Sequence, residues 1–236
     1  MAGIEFRLLG PLEVLRDGAP VAVPPGRPRA LLGRLLVSAN TVVAADHLIE
    51  DLWRGDPPAS AGHALRVYVS NLRRLLEPDR VAGVTPQVLV TRPPGYLLAA
   101  EPRQTDAGRF ELLVAEGGRA SDAGRVAEAS AIFAEALGLW RGSVLADLAD
   151  EPFVGPDAAR LDELRWVAAD RWAEAELALG RHTELVGELE ALIRLHPFRE
   201  RLWAQLIVAL YRSGRQADAL NTYQRLRTLL IEELGL

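Results

Sequence analysis

Arg66, Ser70, Asn71, Arg73 and Arg74 fall close together in the chain, and Arg92 follows in the phrase Thr91-Arg92-Pro93-Pro94-Gly95-Tyr96. Arginine presents a planar fork of N–H donors with a permanent charge, and asparagine holds a donor and an acceptor side by side. Groups of this kind recognise hydrogen-bonding atoms in fixed geometry: phosphate oxygens, the O6 and N7 of guanine, or the N6 and N7 of adenine. The stretch that carries them, Pro57 to Leu76, places Leu65, Val69, Leu72 and Leu76 at steps of four, three and four. That spacing predicts a helix with an apolar back and a front of Arg, Asn and Ser. Such a front suits a DNA major groove, but taken alone it suits ordinary solvent exposure better, since a charged outer face is the default for surface helices.

Groups for covalent catalysis are missing from the sequence. There is no lysine, so a Gly-x4-Gly-Lys-Ser/Thr phosphate loop is excluded, and neither Gly-x-Gly-x-x-Gly nor Gly-x-Ser-x-Gly occurs. His47, His63, His182 and His196 are scattered singly, without metal-ligand spacing. With no cysteine, disulfides, thiolate metal sites and thiol nucleophiles are ruled out. Asp147, Asp150 and Glu151 cluster without a basic partner, and Asp157, Asp162 and Glu163 read as first-turn charges of a helix. No enzymatic activity, no metal and no cofactor are expected.

The chain has 236 residues, 49% of them hydrophobic and 25% charged, in keeping with one large or two ordinary soluble domains. No basic-then-apolar leader opens it and no eighteen apolar residues run together, so a cytoplasmic protein with no membrane partner is expected. All 27 basic residues are arginine and the net charge is −5, which argues against indiscriminate polyanion binding. The charge is uneven, however. Residues 1–100 carry eleven arginines against nine acids, whereas residues 101–236 carry sixteen against twenty-three. The first segment is therefore the one suited to a polyanion.

The elements that must position the arginines can be read in order. Ile4–Leu9, Leu12–Leu15 and Val21–Val23 read as short strands, the last two joined at Asp17-Gly18. Pro28 suits the first turn of a helix carrying Leu31, Leu32, Leu35 and Leu36, which Asn40 stops. Asp46 is a candidate cap for a second helix ending at Gly55, and Ser60 for the third. Val88–Val90 and Tyr96–Leu98 then form a hairpin, with Pro94-Gly95 suited to the centre of a type II turn. Strands, three helices and a hairpin make a winged-helix layout, in which the third helix enters the major groove and the hairpin reaches the minor groove.

With these residues in view, ALRVYVSNLRRLLEP followed by VTRPPGYLL resembles the OmpR/PhoB class of winged-helix DNA-binding domain. FRLLGPLEV, LIEDLWRGDPPASA and TRPPGYLL are similar to the pattern of the Streptomyces antibiotic regulatory protein (SARP) family, with its AfsR-like and EmbR-like relatives. The resemblance implies that Arg66, Val67 and Asn71 face base edges and that Tyr68, Ser70, Arg73 and Arg74 hold phosphates. It further implies that the wing, through Thr91 and Arg92, contacts DNA, with Arg92 in the minor groove. Relatives often carry arginine where this chain has Asn71, a departure that bears on the base read there, because Asn prefers adenine and Arg guanine.

Beyond a polar joint at 101–105, the pattern is helical throughout. Gly124-Arg125, Gly180-Arg181 and Gly214-Arg215 mark an internal repeat, the last two separated by the tetratricopeptide (TPR) period. Five residues after each glycine stand Ala129, Leu185 and Ala219; nine after, Phe133, Leu189 and Tyr223, expected to fill the gap within each helix pair. Material from Trp140 to Pro156 and a long helix from about Pro156 to Leu179 interrupt the array. An α-solenoid follows, suited to protein recognition or to a rigid dimerisation or spacer role. ALGLWRGSVLADL and the segment from His196 to Leu236 resemble the bacterial transcriptional activation domain, which in that family continues past ELGL.

The expected fold is an α+β winged helix over residues 1–100 followed by an all-α TPR-like activation domain over 106–236. The family resemblance implies a sequence-specific activator of an antibiotic or other secondary-metabolite gene cluster. It would bind direct repeats in double-stranded promoter DNA as a homodimer and contact RNA polymerase holoenzyme. The rival reading is a TPR-type interaction or ligand-sensing module whose winged helix binds protein.

Overall fold

The computed structural model describes residues 3–81 and 83–235, so Leu236, the last residue of the ELGL phrase, lies outside the described residues. Two strands, β1 (Ile4–Arg7) and β2 (Glu13–Arg16), pair antiparallel with Phe6 opposite Val14, both buried. Asp17 and Gly18 take φ of 50° and 80°, the tight turn that matches strand twist. Pairing therefore resumes at once in β3 (Ala19–Pro20) and not at Val21–Val23, where the sequence predicted it. Only the Val21 amide, donating to the Val14 carbonyl at 2.8 Å, extends the ladder.

Three helices follow: α1 (Arg27–Val37), α2 (Ala45–Trp53) and α3 (Ala61–Leu76). Helix α1 has proline in its first turn, as expected, and buries Leu31, Leu32, Leu35 and Leu36. A short strand that the sequence did not announce, β4 (Val43–Ala44), leads straight into α2. Ala44 is consequently the N-cap, and Asp46, expected to cap, sits in the first turn, where its charge still meets the helix dipole. Ser60 occupies the N-cap position of α3, but its side chain makes no capping hydrogen bond.

The hairpin consists of β5 (Leu89–Arg92) and β6 (Gly95–Leu98), in a second sheet ordered β4-β6-β5. The Pro93–Pro94 peptide bond is cis, and Gly95 does not take a positive φ, so the expected type II turn is replaced. Glycine is needed at 95 for a different reason. A Cβ there would lie 1.8 Å from the Val43 carbonyl oxygen, because β4 runs hard against β6. Asn40, in the left-handed region at φ 63°, donates its amide to the Ala100 carbonyl at 2.7 Å and accepts from the Ala100 N–H at 3.1 Å. The end of the hairpin is thereby fixed to the end of α1.

The chain divides into two compact units, residues 1–112 with 138–163 and residues 113–137 with 164–236. In the first, the loop after residue 138 lies along the N-terminal strands. The Arg141 and Leu145 amides donate to the Leu9 and Leu8 carbonyls at 2.7 and 2.8 Å. Asp106, at the start of α4 (Asp106–Asp122), accepts from the amides of Leu8 and Leu9 at 2.6 and 3.0 Å, and Asp147 accepts from that of Leu12 at 2.7 Å. Burial pushes the Asp106 carboxyl up, against the backbone N–H groups of Leu8 and Leu9 and the charge of Arg141, which pull it down.

The second unit shows why the Gly-Arg pairs recur. They lie between α4 and α5 (Val126–Gly138), α6 (Gly155–Ala178) and α7 (His182–Leu195), and α8 (Glu200–Arg212) and α9 (Gln216–Leu234). Gly124, Gly180 and Gly214 take φ of 71°, 80° and 77°. In each case the following arginine amide donates five residues back, to Ala120, Glu176 and Leu210, which closes a Schellman cap. Ala129, Leu185 and Ala219 are buried as expected, as are Phe133 and Leu189, but Tyr223 stands 51% exposed. It lines a shallow cavity with Leu220 of α9 and Val208 and Tyr211 of α8.

Candidate nucleic-acid interface

Helix α3 buries Ala61, Leu65, Val69, Leu72 and Leu76, so the remaining positions are forced outward. Arg66, Val67, Ser70 and Arg74 are exposed, and Tyr68, Asn71 and Arg73 are half-buried at the edges of the stripe. No acidic residue occurs between Ala61 and Leu76, and among the described residues Arg66 makes no ion pair. The outward surface is thus a row of donors and small groups with one apolar side chain, Val67.

Three ties hold this helix in place. Tyr68 stacks on Trp53 of α2, ring centroids 6.3 Å apart and planes 19° apart, and the Arg27 guanidinium covers Trp53 at 4.9 Å. Arg16 on β2 donates to the Leu75 carbonyl near the helix end. Arg73 reaches to the wing: its Nε donates to the Leu89 carbonyl at 2.8 Å and its Nη2 to Thr91 Oγ1 at 2.7 Å. Burial lowers the affinity of Arg73 for its proton, yet a guanidinium remains charged throughout the physiological range. Glu77, the C-cap residue, accepts from the Gln87 amide at 2.8 Å, anchoring the start of the segment that returns to the hairpin.

Of the nine residues singled out by sequence, the structure gathers Arg66, Val67, Tyr68, Ser70, Asn71, Arg73 and Arg74 on one helix, with Thr91 and Arg92 on β5. Thr91, Arg92, Pro93 and Pro94 are exposed. Their roles divide by geometry. Arg73 and Thr91 bond to each other, Tyr68 packs inward, and Arg74 donates to Asn71 Oδ1. Trp53, Arg27 and Glu77 support the surface; Trp53 and Glu77 lie within the phrases LIEDLWRGDPPASA and ALRVYVSNLRRLLEP, which assign them no part in the site. The one legible signal for them was Trp53 at the end of an apolar helix face.

Comparison with known proteins places this arrangement. The pattern of the bacterial transcriptional activator domain matches residues 105–236, and that of the C-terminal domain of transcriptional regulatory proteins matches residues 24–98. Regulatory protein DnrI of Streptomyces peucetius is 40% identical over 235 residues, covering 98% of this chain and 86% of DnrI. The chain belongs to the SARP family of transcriptional regulators. Another relative, transcriptional regulatory protein EmbR of Mycobacterium tuberculosis, is 45% identical over 99% of this chain. This SARP-type chain spans 60% of the length of EmbR. The solved structure of M. tuberculosis EmbR in complex with a low-affinity phosphopeptide matches with a TM-score of 0.93 at 44% identity, covering all of this chain and 62% of that one. The winged helix and the helical-repeat region expected from the sequence are thus the SARP architecture. Among the described residues, no helix is long and apolar enough to cross a membrane.

Proposed function

We propose that this chain is a sequence-specific DNA-binding transcriptional activator, with residues 1–100 as the DNA-binding domain and 106–236 as the activation domain. The observation that carries the reading is the outward face of α3, free of acids and held by Arg73 in fixed register with the wing. In this reading Arg66, Val67 and Asn71 meet base edges in the major groove. Ser70 and Arg74 lie against phosphates, and Arg92 enters the minor groove. Tyr68, Arg73 and Thr91 set the spacing between helix and wing, so that both grooves are met together. With a net charge of −5, affinity rests on a few placed arginines and not on bulk positive charge.

The proposal extends to the setting. The chain acts in the cytoplasm without enzymatic activity, binds direct repeats as a homodimer, and contacts RNA polymerase through the helical domain. Its targets are promoters of a secondary-metabolite cluster. Footprinting on genomic promoter fragments with a transcription reporter tests it: protected direct repeats upstream of activated genes are expected. Protection without activation would contradict the activator role, and no protection would contradict DNA binding.

A further inference from the structure

Residue 71 bears on which base the α3 face selects. An asparagine reads adenine by pairing its amide donor with N7 and its carbonyl acceptor with the N6–H group, and so needs both ends of the side chain. Here the acceptor end is engaged: Arg74, one turn further along α3, donates Nη2–H to Asn71 Oδ1. A guanidinium beside that oxygen attracts base acceptors and repels the positively polarised N6–H of adenine, even though an amide oxygen has a second lone pair. What Asn71 has left for a base is then its Nδ2–H2 donor, next to a cation. The base edge that complements a side chain reduced to donors is guanine, with O6 and N7 both acceptors.

The neighbouring residues point the same way. Arg66 and Arg74 carry donors only, Arg73 is committed to Leu89 and Thr91, and α3 has no carboxylate to accept from cytosine N4–H2. Val67, 41% exposed between these donors, is suited to the methyl group of thymine.

We propose that Arg74 acts as a positioning residue that turns Asn71 into a guanine reader, so that this recognition helix selects guanine where an unpaired asparagine would select adenine. The inference rests on the DNA-binding reading above. The test is selection of bound duplexes from a randomised library by the whole chain, by Asn71→Ala and by Arg74→Ala. The base pair whose preference Asn71→Ala erases is the one read by Asn71. The wild-type chain is expected to prefer guanine over adenine there by about tenfold, the scale of one good base contact. With Arg74→Ala the freed carbonyl moves that preference toward adenine, while preferences at the other positions hold. A loss of phosphate contact alone would weaken all sequences evenly and leave the preference unmoved.

Adenine preferred by the wild-type chain at that pair, or an unchanged guanine preference in Arg74→Ala, overturns the inference while leaving DNA binding intact. Should Arg74→Ala enrich nothing, the wild-type and Asn71→Ala selections decide between guanine and adenine by themselves. If the wild-type chain enriches no sequence, the DNA-binding reading falls, and this one with it.

Discussion

Arg92 closes strand β5 one residue before the Pro93-Pro94 tip, is exposed, and among the described residues makes no ion pair. In the proposed reading its replacement removes a contact to DNA without touching the core. Arg92→Ala is expected to weaken promoter binding about tenfold, the scale of one charge-assisted hydrogen bond, with an unchanged melting temperature. Arg73 differs because it is built into the domain. Arg73→Ala leaves the Leu89 carbonyl without its side-chain donor and loosens the wing, so thermal denaturation should show a loss of about 1 kcal/mol, given that the group is half-buried. Affinity should fall in the same variant. Asp106 supplies the pH dependence at this scale. Its folded carboxyl is raised by burial, so the folded state holds the proton to higher pH than the unfolded state. This group's contribution to stability therefore declines as pH rises from the ordinary carboxylate value through the raised one, and is level above it. Asp106→Asn removes that decline. It also sets an NH2 against a donor that now points at the carboxylate, the Leu9 amide or Arg141, and should cost about 2 kcal/mol at neutral pH by denaturant titration.

At the scale of elements, two glycine types make different predictions. Gly95→Ala would drive a Cβ into the Val43 carbonyl, a backbone atom that cannot step aside. It should cost about 3 kcal/mol in chemical denaturation and remove DNA binding, since β6 carries the wing. Gly214 meets nothing within 4 Å and needs glycine only for its φ of 77°. Gly214→Ala should therefore cost only about 1 kcal/mol, with DNA binding retained. Much of this scale was legible in the sequence. Leu65, Val69, Leu72 and Leu76 announced α3, and the Gly-Arg pairs announced three similar helix junctions, because local periodicity and caps act over a few residues. The type II turn and the Val21–Val23 strand do not form, because both depend on which strand lies alongside. Nothing local to Gly95 reveals that β4 runs against it. Tyr223 occupies the repeat position of Phe133 and Leu189, yet on α9 that position looks outward.

For the molecule as a whole, the first compact unit draws on residues far apart in sequence. The amides of Leu8, Leu9 and Leu12 are satisfied by Asp106 and Asp147, and Gly33 admits Leu148 so closely that a Cβ would lie 2.6 Å from it. No short-range pattern links residue 8 to residue 106, so this part of the architecture was invisible before folding was known. The sequence did single out the positions of the candidate interface, because they share one helix and one hairpin. It did not reveal that Arg73 bonds to the wing or that Arg74 bonds to Asn71. A chain cut at residue 100 loses the acceptors for three N-terminal amides, whereas one cut at residue 163 keeps them. Calorimetry should find the shorter fragment less stable than the longer by several kcal/mol.

One titration decides whether a few placed arginines on α3 and the wing read a specific promoter. The affinity of the whole chain for a protected promoter fragment and for a shuffled duplex of equal length would be measured across a range of salt concentrations. A marked preference for the promoter is expected at every salt concentration. The affinity should also fall with salt, with a logarithmic slope of about −0.9 per phosphate contacted. Equal affinity for the two duplexes, or binding indifferent to salt, would contradict that reading.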